Sequence, residues 1–515
     1  MINLPVYIVI LPLFGAILCP LFMHFSKFMG RAIVVIAVGT ALVLSIIQLY
    51  NISETEMVSY WMGGYIPPLG IEFMIDSLSA TIIILILAIG FLSILYSMPF
   101  LKNETKLKTA GYFTVLSLLI TGLLGMTSTR DIFNLYVFLE ITSISGYALI
   151  AMGGDRGVLS SFRYLLIGTI GASFYLFGVA FIYAETGTLN MDDMSGRVGP
   201  ILTTGTTLVA MTFFIIGFGI KMALFPLHGW QPAAYTNSHP GAAPMITGVM
   251  GKIPAYAMLR FFFFVFNANT DFVAKSLLII GIMSACGMIY GSVKAIGQKD
   301  FRGMLAYSSI AQIGYVGLGI AITGYFGLIG AVLHIIGHAC MKSCLFFCAG
   351  AIQFRYGEVK MKRFGQLYKK MPMTTTAIVI SALSMVGIPP FTGFFSKWYL
   401  ALGAMQKGLF IYVAILIVSS LLNAIYFFRL LERIFMNREA EPYVDADGKM
   451  VPKLSKYAPE ASDVGESNLA YTGKREMPIL MAIPIIVTTV SIIMIGIFNT
   501  KFVDVLSSAI MVVAR

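Results

Sequence analysis

The chain has 515 residues, 58% of them hydrophobic and 11% charged, with a mean hydropathy of +0.86 and a formal net charge of +11. Soluble domains carry about a quarter of their residues as charged side chains, so this composition excludes a soluble enzyme and predicts an all-α polytopic membrane protein. Cys19, Cys286, Cys340, Cys344 and Cys348 all fall in apolar stretches without a CxxC spacing, which argues against a cysteine-held cluster, zinc site or redox centre.

The start, MINLPVYIVILPLFGAILCP, lacks a basic segment and a small-residue cleavage site and reads as a retained first span. Apolar runs of about 20 residues, long enough to cross roughly 30 Å of hydrocarbon, predict about fourteen spans. They lie near 3–23, 31–50, 76–99, 109–126, 131–152, 160–184, 203–226, 241–266, 272–293, 301–322, 326–352, 373–397, 409–435 and 477–499. Alternate loops hold most of the 35 basic residues, from Lys27 and Arg31 through Lys102, Lys106 and Lys108 to the run from Arg355 to Lys370 and the cluster from Arg429 to Arg475. The opposite side has only Arg130, Arg197, Lys275, Lys407, Lys501 and Arg515. This bias places both termini on the non-cytoplasmic side of the cell membrane and accounts for the net charge without nucleic acid. One polar insertion, 437–476, is too rich in turn formers to build a core alone and is expected as a cytoplasmic loop.

Lys221, Lys252, Lys342 and Lys397 sit inside otherwise apolar spans, where a charge costs roughly 2.5 to 3.5 kcal/mol on insertion scales. A chain keeps several such residues only if they are paired or used, so ion or proton transport is the first hypothesis. Glu140, near the middle of its span, needs a cation, and Lys221 is the candidate. Two spans combine breakers with a lysine. In the first, Lys221 precedes Pro226, Pro232 and Pro240; in the second, Pro389, Pro390 and Gly393 precede Lys397. Interrupted helices at membrane depth occur where the freed backbone groups are reused in a protein-lined cavity, and a matched pair five spans apart points to an inverted repeat. Prolines that only shape helix packing are the blander alternative.

His334, His338 and Lys342 recur at i, i+4 and i+8 and share one helix face. Such a stripe can relay protons, since imidazole both accepts and donates near neutral pH. Lys342 has the alternative of snorkelling toward the cytoplasmic end of its span. The stripe of Cys340, Cys344 and Cys348 reads as packing, and His334 with His338 lacks an evident third ligand for a metal.

Taken together, GIEFMIDSLSA, DIFNLYVFLEITSISGYALIA, GIKMALFPLHGWQPAAY followed by GKIPAYAMLR, KDFRGMLAYSSIAQIGYVGLGI, LHIIGHACMK and GIPPFTGFFSKW resemble the antiporter-like subunits of respiratory complex I, the D-type subunit of Mrp sodium/proton antiporters and the matching subunits of membrane-bound hydrogenases. The resemblance covers residues 70 to 435. It implies fourteen helices with two inverted five-helix repeats: N-terminal helices in 1–108, repeats in 109–266 and 267–436, the insertion 437–476, and a last helix in 477–515. It implies broken helices seven and twelve and a polar axis at mid-membrane, with Glu140 as the fifth-helix glutamate, Lys221 and Lys397 as the broken-helix lysines, Lys252 on the eighth helix, and His334 and His338 on the eleventh. Lys397 stands where one complex I subunit has glutamate, the chain ends short of the lateral helix of another, and His239 is similar to hydrogenase-type members.

The function this implies is proton movement from Lys221 through Lys252, His334 and His338 toward Lys397, within a larger respiratory or hydrogenase-type complex. The alternative is a subunit of a sodium/proton antiporter without a redox partner. No cofactor, nucleotide or metal is expected in this chain; its partners are other membrane subunits, lipid, H⁺ and, in the second reading, Na⁺. A solute permease lacks a substrate-sized set of polar groups.

Overall fold

The computed structural model describes residues 4–55, 57–268, 270–436 and 476–514. Helices α1 (Leu4–Phe25), α2 (Lys27–Thr55), α3 (Ser77–Ser97), α4 (Lys106–Ser128), α5 (Ile132–Ala151) and α6 (Asp155–Thr186) run first, with a hairpin of β1 (Met57–Trp61) and β2 (Glu72–Asp76) between α2 and α3. After the short α7 (Met191–Val198) come α8 (Gly205–Met222), α9 (Gln231–Asn237), α10 (Ala243–Val265), α11 (Asp271–Ile296), α12 (Phe301–Ile322) and α13 (Gly324–Tyr356). The chain closes with α14 (Pro372–Val386), α15 (Thr392–Gln406), α16 (Phe410–Phe435), α17 (Ile479–Ile497) and α18 (Asn499–Ala514).

Among the described residues, thirteen helices are long and apolar enough to cross a membrane. The expected span 373–397 is instead two halves, α14 and α15, each of 15 residues. At 1.5 Å per residue neither reaches across hydrocarbon alone, so Lys397 lies inside the second half rather than at the end of a continuous helix. The span expected at 203–226 likewise stops at Met222 and resumes as α9. The polar insertion lies outside the described residues except for Glu476. The hairpin, α7 and the terminal α18 carry no apolar run of spanning length, which is why a hydropathy reading passes over them.

α13 is the axle of the bundle. The most apolar 18-residue window of this 33-residue helix is wholly buried, whereas a third of the corresponding window is buried in α2 and in α16. α12, α14, α15 and α17 pack around it. The outer helices turn Phe14, Ile17, Ile36, Val43, Leu421 and Ile425 outward. In lipid that arrangement costs nothing, because the surroundings are as apolar as the side chains.

On the side opposite the lysine-rich loops, an ionic knot ties the hairpin to the bundle. Asp76 caps α3 by accepting from Ser79 N at 2.8 Å. Its carboxylate also pairs with Arg260 of α10 and, at 3.7 Å, with Arg130. Burial opposes ionisation of Asp76, but Arg260, Arg130 and the Ser79 amide outweigh it and hold the carboxyl well below the usual carboxylate range. Arg260, which the sequence leaves as one more charge within a span, thus has a structural partner.

The Asp76→Asn variant leaves two buried guanidiniums uncompensated and is expected to lose about 3–5 kcal/mol of stability, read as a lowered thermal midpoint of the detergent-solubilised complex. Because the folded carboxyl is depressed, its contribution is complete above the ordinary value of roughly 3.9 and fades only as pH falls through the lowered one. The gap between the two proteins should therefore be flat from about pH 5 to 8.

Candidate functional site

The first interrupted helix ends at Ala223, whose φ of 60° turns the chain out of α8. The break releases carbonyls, and Trp230 Nε1 takes one by donating to Ile220 O at 2.9 Å while its indole stacks on Tyr164 at 3.6 Å. Lys221, in the last turn of α8, is 98% buried at its side chain. Its ammonium donates to Ser143 Oγ at 2.6 Å and lies 3.4 Å from Glu140 Oε1. Glu140 and Lys221 are therefore brought together, with Ser143 as a third member that the sequence did not single out. Glu140 keeps 27% of its side chain exposed, on the α5 face that also carries exposed Val137 and Ile144.

Pro232 begins α9 and Pro226 sits in the connecting turns, so both shape the break rather than kink a continuous helix. Pro240 precedes α10, whose turns at 246–250 and 261–265 widen to π geometry. Pro254 has no N–H to contribute to this stretch, and Gly248 lies so near α13 that a Cβ would stand 1.9 Å from Ser343 Oγ. The Lys252 ammonium, almost wholly buried, donates to Thr247 O in the wide turn.

The second break is tighter. Gly387 closes α14 with φ 96°, Pro389 and Pro390 follow, and Gly393 N donates to Ser384 Oγ at 3.2 Å. A Cβ on Gly393 would stand 1.9 Å from Ser384 O, so the two halves meet only because this residue is glycine. Lys397 reaches back across the break and donates to Met385 O and Val386 O, both at 2.9 Å. The freed carbonyls of the break are thus reused by the lysine itself.

Between the breaks lies the stripe of α13. His334 Nδ1 is 2.9 Å from Ser396 Oγ of α15, and the rings of His334 and His338 are 5.7 Å apart. His334 and His338 are both within electrostatic reach of Lys252, His338 also of Lys342 and His334 also of Lys397. Of the two histidines, His334 is the one beside Ser396 and Lys397 of α15. Lys342 does not snorkel: it is fully buried and donates to Leu305 O at 2.5 Å and to Ser308 Oγ. Gln312, one turn on from Ser308 along α12, is equally buried, and neither its amide atoms nor the ring nitrogens of His338 have a hydrogen-bond partner. Buried polar groups of this kind are the ones ordered water satisfies in proteins.

His239 packs among Phe100 and Tyr112, and its Nδ1 accepts from Gly241 N at 3.2 Å. Cys344 is 3.3 Å from Thr489 Oγ1, and Cys348 donates to Thr374 O at 3.7 Å, as packing residues do. Among the described residues no three His, Cys, Asp or Glu side chains gather to hold a metal. Sequence reasoning missed Gln312, Ser143, Ser308 and Ser396, whose signal, a polar residue within an apolar span, is weak one residue at a time.

Two interrupted helices, with lysines and histidines held inside an apolar bundle, mark a polytopic membrane protein of the ion-translocating class. Residues 129–423 match the family model described as NADH:quinone oxidoreductase/Mrp antiporter, transmembrane, and the chain belongs to that family. It is 40% identical over 503 residues, 98% of this chain and 97% of the other, to the N-type subunit of the NADH-quinone oxidoreductase of Desulforudis audaxviator. It is 32% identical to the D-type subunit of the Na⁺/H⁺ antiporter of Alkalihalophilus pseudofirmus, over 82% of this chain and 84% of that one. Its fold superposes with a TM-score of 0.86 and 25% identity on a chain of the Mrp complex from Dietzia sp. DQ12-45-1b, covering 100% of this chain and 97% of that one.

The Gly393→Ala variant tests how the second break is built. A methyl group there must push the halves of the helix apart, and overpacking of this kind costs about 1–3 kcal/mol. A thermal midpoint equal to wild type would mean that α14 and α15 are not locked together through this contact.

Proposed function

We propose that this chain is an ion-translocating membrane subunit that moves protons along Glu140, Lys221, Lys252, His338, His334 and Lys397, with Lys342 as a side branch, inside a multisubunit complex of the respiratory type. The observation that carries the reading is a set of six titratable side chains on and between two interrupted helices, with Lys221, Lys252, His334 and His338 buried, Glu140 and Lys397 partly so, and one carboxylate among them. Burial disfavours the charged form of a lysine and a carboxylate restores it. A change in the distance between Glu140 and Lys221 thus alters how readily Lys221 keeps its proton. Glu140 is the partly exposed member of that pair, so a neighbouring subunit has access to it.

The chain sits in the cell membrane with both termini on the non-cytoplasmic side, a reading supported by the distribution of Lys and Arg among the loops. Residues 109–266 and 267–436 are two inverted repeats, a reading supported by the two breaks at equivalent places. Moving one charge across the membrane involves about 2.3 kcal/mol per 100 mV, and no nucleotide-binding motif in the sequence supplies it, so a partner or an ion gradient does. Identity of 40% along nearly the full length of a quinone oxidoreductase subunit supports the redox-driven complex. Full-length similarity to a chain of an Mrp complex supports the second reading, a sodium/proton antiporter subunit.

In vesicles holding the assembled complex, Glu140→Ala is expected to reduce proton flux at least about ten-fold at unchanged assembly, since an uncompensated buried charge costs several kcal/mol. Lys397→Met should stop transport and Lys397→Glu should retain part of it, because only the latter can still exchange a proton. Wild-type flux in both Glu140→Ala and Lys397→Met would overturn the relay. Dependence of the flux on sodium, measured in the same vesicles, separates the two complexes.

A further inference from the structure

Among the described residues no carboxylate lies beside Lys397, and carbonyls alone do not fix the position of an ammonium laterally. The remaining contact is aromatic. Tyr315 of α12 is fully buried, its ring stacks on His334 with centroids 5.1 Å apart, and the Lys397 ammonium lies 4.9 Å from the same ring. One ring thus touches both His334 and Lys397.

That ring is clamped from behind. The Tyr315 hydroxyl is 3.3 Å from Ser420 Oγ and accepts from Asn423 Nδ2 at 3.4 Å, both on α16. Asn423 is buried, and its Oδ1 accepts from the Tyr426 hydroxyl at 2.8 Å and from Ser292 Oγ of α11 at 3.2 Å. A buried polar network satisfied at both ends of its amide is stiff, and one left half-bonded is costly. α11 and α16 therefore set the orientation of the Tyr315 ring, though neither carries a residue of the relay.

We propose that Tyr315, clamped by Asn423, is a positioning residue for Lys397 in ion translocation. The face of an aromatic ring is the negative end of its quadrupole and attracts an ammonium, not a neutral amine. The ring holds charged Lys397 against Met385 O and Val386 O and beside His334, and releases the side chain once the proton has left. Ser396, the residue before Lys397, fixes His334 from the other side, so the donor and acceptor of one transfer are held by adjacent residues of α15 and by one ring of α12. The proposal rests on the reading of Lys397 as a proton carrier.

The test uses the assembled complex in vesicles, with proton flux measured at equal incorporation. Tyr315→Phe keeps the ring but loses the clamp and should lower flux by no more than Asn423→Leu does. Adding one, two and three fluorines to that phenylalanine drains the ring face of electron density with little change of shape. Flux should fall in steps, by about 3- to 30-fold in all, the span open to a desolvated cation–ring contact. Asn423→Leu should lower flux when Tyr315 is present and add nothing to Tyr315→Phe. A flux unchanged along the fluorine series assigns the ring to space-filling and overturns the proposal, and an additive loss in the Asn423 pair overturns the clamp. Lys397→Met is measured alongside. If it is inactive while the fluorine series is flat, this proposal alone fails; if it transports like wild type, the carrier reading fails and the proposal with it.

Discussion

An ammonium group held in an apolar bundle has to be given an oxygen, and a regular helix has none to spare. Every carbonyl of an uninterrupted helix is already engaged by an N–H four residues on. This chain solves the problem by spoiling its helices where the lysines stand. Met385 and Val386 lose their normal partners at the break and receive Lys397, and Thr247 lies in a widened turn and receives Lys252. Lys342 is the exception: it shares the carbonyl of Leu305 in the unbroken α12 with the hydroxyls of Ser308 and Ser309. Prolines and glycines that look like defects in a membrane helix are what make the charges affordable.

The two breaks reach that end differently. At the first, the freed carbonyl of Ile220 goes to Trp230, and Lys221 is left to Glu140 and Ser143. At the second, the carbonyls go to the lysine itself, with an aromatic ring in place of a carboxylate. A carboxylate near the edge of the protein responds to whatever packs against it, whereas a carbonyl pair sealed by Gly387 and Gly393 answers only to movement of its own helix halves. Glu140 is open to whatever lies outside the bundle, whereas Lys397 is placed by the packing of α12, α14 and α15.

The ionic knot of Asp76, Arg130 and Arg260 belongs to the same logic on the structural side. It places two guanidiniums around one carboxylate, ties the hairpin to α10, and so anchors the helix whose wide turns hold Lys252. Stability of that cap and the position of Lys252 are carried by one helix.

The sequence by itself determined the class, nearly all the spans, the two interruptions and which lysines and histidines lie within the spans. Each of these is written in local signals: hydropathy over some 20 residues, a proline pair, a charge where none is cheap, and a period of four on α13. The pairing of Glu140 with Lys221 was legible for the same reason, since each had a charge that little else nearby could balance. Only the tertiary structure decided that the other lysines bind carbonyls, because which carbonyl is freed depends on how a break is packed. Only it brought Asn423 and Ser292, from two further helices, behind the Tyr315 ring that faces Lys397, and Asp76 to Arg260, 184 residues away. Neutral tyrosine, serine and asparagine are common enough in apolar spans that the sequence gives no reason to choose these. Their meaning comes from long-range contact, which no window along the chain contains.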